Sequence, residues 1–127
     1  MVRNVGYYPK TLGAVVIAAI DKGPIPGGGH QNITFDNNQI ENANCVNLLI
    51  TSVNKAAVTN NQFVNPQQHA IETEGAQWGA KADSLVCISE TSDIVLRGNS
   101  AKHLGDANRS LLQVTPSVRG LQSDWVA

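Results

Sequence analysis

Between Gln31 and Asn65 the apolar and polar positions alternate in a phrase that occurs twice. Asn32-Ile33-Thr34-Phe35-Asp36-Asn37-Asn38-Gln39-Ile40 is matched by Lys55-Ala56-Ala57-Val58-Thr59-Asn60-Asn61-Gln62-Phe63, which places Asn38 and Asn61 23 positions apart. A third, degraded copy runs Asp93-Ile94-Val95-Leu96-Arg97-Gly98-Asn99-Ser100-Ala101. Strict alternation is the signature of a strand with one buried face, and self-similarity at a period of about 20–50 residues predicts stacked structural repeats.

A second family of short apolar runs fills the intervals: Ala14-Val15-Val16-Ile17-Ala18, Asn47-Leu48-Leu49-Ile50-Thr51, Leu85-Val86-Cys87-Ile88-Ser89 and Leu111-Leu112-Gln113-Val114-Thr115. Ala56 follows Ile50 by six positions, and Ile94 follows Ile88 by the same six. The unit is therefore a strand, a short turn, an alternating strand, an Asn turn, a very short strand and a variable loop. No segment shows apolar residues at helical spacing, so the expected fold is all-β: a short, right-handed, single-stranded parallel β-helix of about four to five coils. Each strand would pair with its equivalent one coil later, which supplies the long crossover that parallel pairing requires. Asparagine tolerates the left-handed backbone of a tight corner, and its amide can bond the equivalent side chain above or below. Asn38, Asn61 and Asn99 are expected to stack in such a row, with Asn37 or Asn60 able to share the role.

Residues 1–127 are read as one domain: a cap segment at 1–12, coils at 13–116, and a last partial coil or cap at 117–127. Gly23-Pro24-Ile25-Pro26-Gly27-Gly28-Gly29-His30 is a loop, because prolines cannot continue a ladder. It lacks the Gly-Lys-Ser/Thr order of a phosphate-binding loop, and no cofactor is expected. Pro66 to Ala82 is a longer excursion at the variable-loop position.

Composition narrows the function. A net charge of −1 with scattered basic residues offers no footprint for nucleic acid or an acidic membrane, and no run is long enough to span a bilayer. Cys45 and Cys87 form neither a disulfide framework nor a zinc spacing and read as small apolar fillers, so no metal site is expected. The first residues carry no apolar signal-peptide core.

The phrase at Gln31 to Asn65, followed by its variable loop and preceded by the Val15-Val16-Ile17-Ala18 strand, resembles the right-handed β-helix repeats of the pectate-lyase-like superfamily. The likeness is strongest to later coils of bacterial glycoside hydrolases, in proteins that are mostly extracellular or periplasmic. It covers roughly 13–116 and implies fold more than activity, because the same coils serve lyases, hydrolases, epimerases, adhesins and tailspikes. Enzymes of this kind carry their carboxylates on the outer face of the sheet flanked by the longest loops. Here that sheet is the apolar series just described, and it contains no charged residue in either register, whereas a paired-carboxylate mechanism needs two acids within about 5–10 Å. Its outer positions, Val16, Leu49 and Cys87 with Leu85 and Leu111 beside them, form an apolar face. Something must cover it: the excursion, through Ile71 and Trp78, or a second copy of the chain.

The expected function is a non-catalytic β-helix module for self-association and glycan contact, forming a homo-oligomer. The competing expectation is a glycoside hydrolase or polysaccharide lyase acting through the excursion. There, Trp78 would stack on a sugar with His30 nearby, and Glu72, Glu74 or His69 would serve as acid or base.

Overall fold

The structure is a computed structural model and describes residues 1–4, 13–18, 29–69, 81 and 83–126. The described residues contain twelve strands and no helix: β1 Val2–Arg3, β2 Val15–Ile17, β3 His30–Asp36, β4 Gln39–Glu41, β5 Leu48–Thr51, β6 Val53–Thr59, β7 Gln62–Val64, β8 Ser84–Ser89, β9 Ser92–Arg97, β10 Ser100–Lys102, β11 Ser110–Val114 and β12 Arg119–Ser123. They form three parallel sheets, β1-β4-β7-β10, β2-β5-β8-β11 and β3-β6-β9-β12. Every third strand thus joins the same sheet, so the chain winds through four coils of three strands. This is a short parallel β-helix.

The register follows the repeated phrase. Ile33 pairs with Ala56 and Ala56 with Ile94, while Phe35, Val58 and Leu96 form the next column. Their side chains point inward and join Ile40, Phe63, Leu48, Ile50, Ile88 and Leu112 in one core that runs along the axis. Each column stacks like on like, which buries a continuous apolar rod without any helix to cover it.

Two ends need closing. Val2–Arg3 is the first strand of the first sheet, paired with Ile40 and Glu41. At the other end Arg119–Ser123 completes the third sheet. Ala101 occupies the column of Ile40 and Phe63, and its small side chain leaves room for Trp125, whose ring lies 5.9 Å from that of Phe63 at an interplanar angle of 52°. Asp124 also finishes a ladder. The N–H of Asn37 donates to the Thr59 carbonyl and that of Asn60 to the Arg97 carbonyl, both at 3.0 Å; Gly98 N–H instead donates to the Asp124 carboxylate at 3.0 Å. The tail thus adds the fourth strand of the third sheet and packs Trp125 on the core.

The asparagine turn divides its labour between neighbours. Asn37, Asn60 and Gly98 adopt the left-handed backbone, with φ of 58°, 55° and 69°. Asn61 and Asn99 supply the stacked side chains, and Asn38 joins the row through its backbone N–H while its amide donates to the Asp36 carbonyl. Asn61 Oδ1 accepts from the Asn38 N–H at 2.9 Å, and Asn61 Nδ2 donates to the Phe35 carbonyl and to Asn99 Oδ1, both at 2.9 Å. Asn99 Oδ1 also accepts from the Asn61 N–H at 3.0 Å, and its Nδ2 donates to the Val58 carbonyl at 2.9 Å. A second row at the next corner was not read from the repeat. Asn4, Asn42, Asn65 and His103 are all left-handed, Asn42 Nδ2 donates to Asn4 Oδ1 at 3.1 Å, and Asn65 Nδ2 donates to Asn42 Oδ1 at 3.2 Å.

Buried Gln67 ties the variable-loop corner together, donating to the Ser84 carbonyl at 2.8 Å and the Cys45 carbonyl at 3.2 Å and accepting from Asn108 Nδ2. Gly105 packs against it so closely that a Cβ there would collide with the Gln67 and Gln68 backbone.

The two adjacent asparagine rows should respond differently to substitution. Asn61→Ala removes one buried and two partly buried hydrogen bonds and is expected to cost about 3 kcal/mol in chemical denaturation. Asn60→Gly keeps the left-handed corner and is expected to change stability by only a few tenths of a kcal/mol, roughly.

Candidate functional site

The outer faces of the second and third sheets differ sharply. In the second sheet, Val16, Leu49, Cys87 and Gln113 form one column pointing away from the core. Leu49 and Cys87 are 0% and 2% exposed, and they pack with Val46 in a cluster separate from the main core. The returning end of the excursion reaches this face: Lys81 N–H donates to Gln113 Oε1 at 2.8 Å, and Cys87 Sγ donates to the Lys81 carbonyl at 3.7 Å. Lys81 of the same chain therefore lies over the Cys87 and Gln113 end of this face.

That corrects the expected interface. Leu49 and Cys87 are not surface residues, and Leu85 and Leu111 do not belong to the outer face at all. Both pack with the main core. They sit where the chain leaves the variable-loop corner, so the alternation of faces does not yet hold: Leu85 and Val86, consecutive residues, both join the core. Of the expected set, Val16, 38% exposed, is the residue of this face that remains open.

Burial governs the two thiols as well. It pushes both Cys45 and Cys87 up to about 11, with hydrogen bonding to the Lys81 carbonyl only partly offsetting this at Cys87. Neither is an activated nucleophile.

The histidines take structural positions. His30 Nε2 donates to the Ala18 carbonyl at 2.7 Å, which anchors the start of β3. The N–H of exposed His69 donates to Asn44 Oδ1 at 2.8 Å, beside the variable-loop corner. One lies after the second sheet in its coil and the other before it, so the fold does not converge them. Glu72, Glu74, Trp78 and Ile71 lie outside the described residues.

The third sheet carries an open groove of about 400 Å³ on its outer face. Its floor is the column Thr34, Ala57, Val95 and Gln122, paired in register across all four coils. Its wall is the column Asn32, Lys55, Asp93 and Gly120. Each wall residue has a left-handed backbone, with φ of 56°, 75°, 57° and 65°. A left-handed residue within a strand interrupts the pleat and bends it, and four stacked bends turn a flat face into a trough. On the far side Asp36 accepts from Thr59 Oγ1 and from Asn60 Nδ2, and Arg97 donates to Gln122 Oε1 at 3.1 Å.

Asn32, Lys55 and Asp93 are the opening residues of the three copies of the phrase, so sequence periodicity does align them. Their shared backbone conformation was not apparent, because lysine gives no left-handed signal. A second recess of about 500 Å³ lies along the edge of β11, lined by Lys81, Asp83, Ser84, Arg109, Ser110 and Gln113 among others. Comparison with protein-family models, characterised proteins and solved structures gives no match to this chain.

Two outcomes are expected. Lys55 holds a conformation that costs a non-glycine residue about 1–2 kcal/mol, and Lys55→Asn, the residue of the preceding coil, is expected to raise stability by about 1 kcal/mol in thermal or urea unfolding. For the thiols, the unfolded chain loses protons near 9.0 while the folded chain holds them to about 11. The unfolded state then binds fewer protons, so folding stability should be flat below pH 9 and fall between pH 9 and 11. Cys45→Ala/Cys87→Ala should flatten that decline in urea titrations across the same range.

Proposed function

We propose that this protein is a non-catalytic β-helix module, of the pectate-lyase-like kind, that contacts a glycan and associates with a second copy of itself. The observation that carries the reading is the contrast between two faces. The loop-flanked sheet, where enzymes of that kind work, is occupied by Leu49, Cys87 and the Lys81 backbone. The third sheet instead offers an open trough spanning every coil. Its wall pairs one cation, Lys55, with one carboxylate, Asp93, an arrangement suited to holding a polar ligand rather than to sharing a proton between two acids.

Self-association draws support from the edges. β3 and β12 are the end strands of the third sheet, β2 and β11 those of the second, and among the described residues each pairs with a strand on one side only. Such edges are templates for strand pairing.

The alternative, a hydrolase or lyase working through residues 66–82, is favoured by the recess at Lys81, Asp83 and Arg109, which adjoins the end of that segment. Sedimentation and turnover assays separate these readings. An oligomer that binds glycans without cleaving them is expected. A strict monomer at all concentrations removes the association, and polysaccharide cleavage lost in Glu72→Gln or Glu74→Gln establishes the enzyme.

A further inference from the structure

We infer that the trough on the third sheet takes a linear, uncharged polysaccharide lying along the solenoid axis, across the strands rather than parallel to them. This rests on the reading of the protein as a glycan-contact module and specifies where and how that contact is made.

Three features of the trough point to this ligand. Ala57 and Val95 give it a floor of small apolar side chains, while Asn32, Thr34, Lys55 and Gln122 surround that floor with hydrogen-bonding groups. A pyranose ring presents the matching surface: an apolar face of C–H groups bordered by hydroxyls that both donate and accept. Charge selects against a polyion. Lys55 and Asp93 stand in the same column on adjacent coils, so the wall offers a polyanion or a polycation as much repulsion as attraction.

Direction follows from the repeat. The columns run perpendicular to the strands, with one step of about 4.8 Å per coil. The four strands therefore span about 14 Å, and a polymer of successive rings meets the floor and wall again at each step. An extended peptide has a poorer fit. It binds sheets through main-chain hydrogen bonds at an edge, whereas the trough is a face whose strands are already paired with one another. Lys55 adds an independent sign. It holds a left-handed conformation at a position where the other three coils place Asn, Asp and Gly, and strain of this kind persists at ligand-holding sites.

The test is calorimetric titration of the full chain with linear neutral oligosaccharides of the gluco-, xylo- and manno-series at increasing length, with galacturonan as the charged probe. One neutral series should bind, strengthening with length until the chain covers all four strands. Ala57→Trp, which fills the floor from the solvent side, should weaken binding about tenfold or more with its unfolding midpoint unchanged. Should that variant misfold, Thr34→Trp at an exposed floor position makes the same test. If neither a neutral series nor galacturonan binds the wild-type chain, the glycan reading and this inference both fall. If binding survives Ala57→Trp and Thr34→Trp but is lost in Trp78→Ala, the module reading stands and the trough is not the site. Tighter, salt-sensitive binding of galacturonan overturns the neutral ligand, and affinity independent of oligosaccharide length overturns the axial orientation.

Discussion

Each coil in this fold is held by its neighbours through parallel pairing: half of a strand's backbone groups find partners only when the chain returns one full coil later. That constraint makes the corners decisive. A corner that turned by a different amount in one coil would put every following strand out of register, and a shift of one residue exchanges core and surface. The left-handed rows at 37, 60 and 98 and at 4, 42, 65 and 103 enforce the same turn in each coil. The buried amides of Asn61 and Asn99 then link one corner to the next, satisfying backbone groups that a tight turn would otherwise leave unpaired.

With the register held, loops can vary without disturbing the core. Asn38 and Asn61 are 23 positions apart and Asn61 and Asn99 are 38, yet the columns remain aligned. The added residues leave at the variable-loop corner, where Gln67 holds adjacent loops together through the Ser84 and Cys45 carbonyls. One such addition returns at Lys81, which lies against Cys87 and Gln113 on the second sheet. Among the described residues the third sheet receives no comparable cover, and its left-handed wall makes it concave. The same construction principle therefore produces one buried outer face and one open one.

Several of these features were legible in the chain. Alternation at Ile33, Phe35, Ala56, Val58, Ile94 and Leu96 identified the inward positions, because a strand with one buried face must alternate. The uninterrupted apolar character of Leu48 to Ile50 and Leu85 to Ile88 indicated a sheet covered on both sides. Leu85 and Leu111 misled for a local reason: they lie where the chain enters from a corner, and two consecutive side chains turn toward the core there. The trough was not legible, since Lys55 has no intrinsic preference for the left-handed region that its neighbours in the column impose on it.

The coil architecture, the pairing of the repeated phrase and the turn position shared by Asn38, Asn61 and Asn99 are written in the order of residues alone. These are short-range patterns repeated often enough to specify a register. Which outer face is open, which neighbour in each asparagine pair turns the chain and which one bonds, and how Trp125 and Asp124 close the last coil emerge from three-dimensional packing. Those outcomes depend on segments distant in sequence meeting in space: Lys81 over Cys87, Trp125 on Phe63, and Lys55 between Asn32 and Asp93.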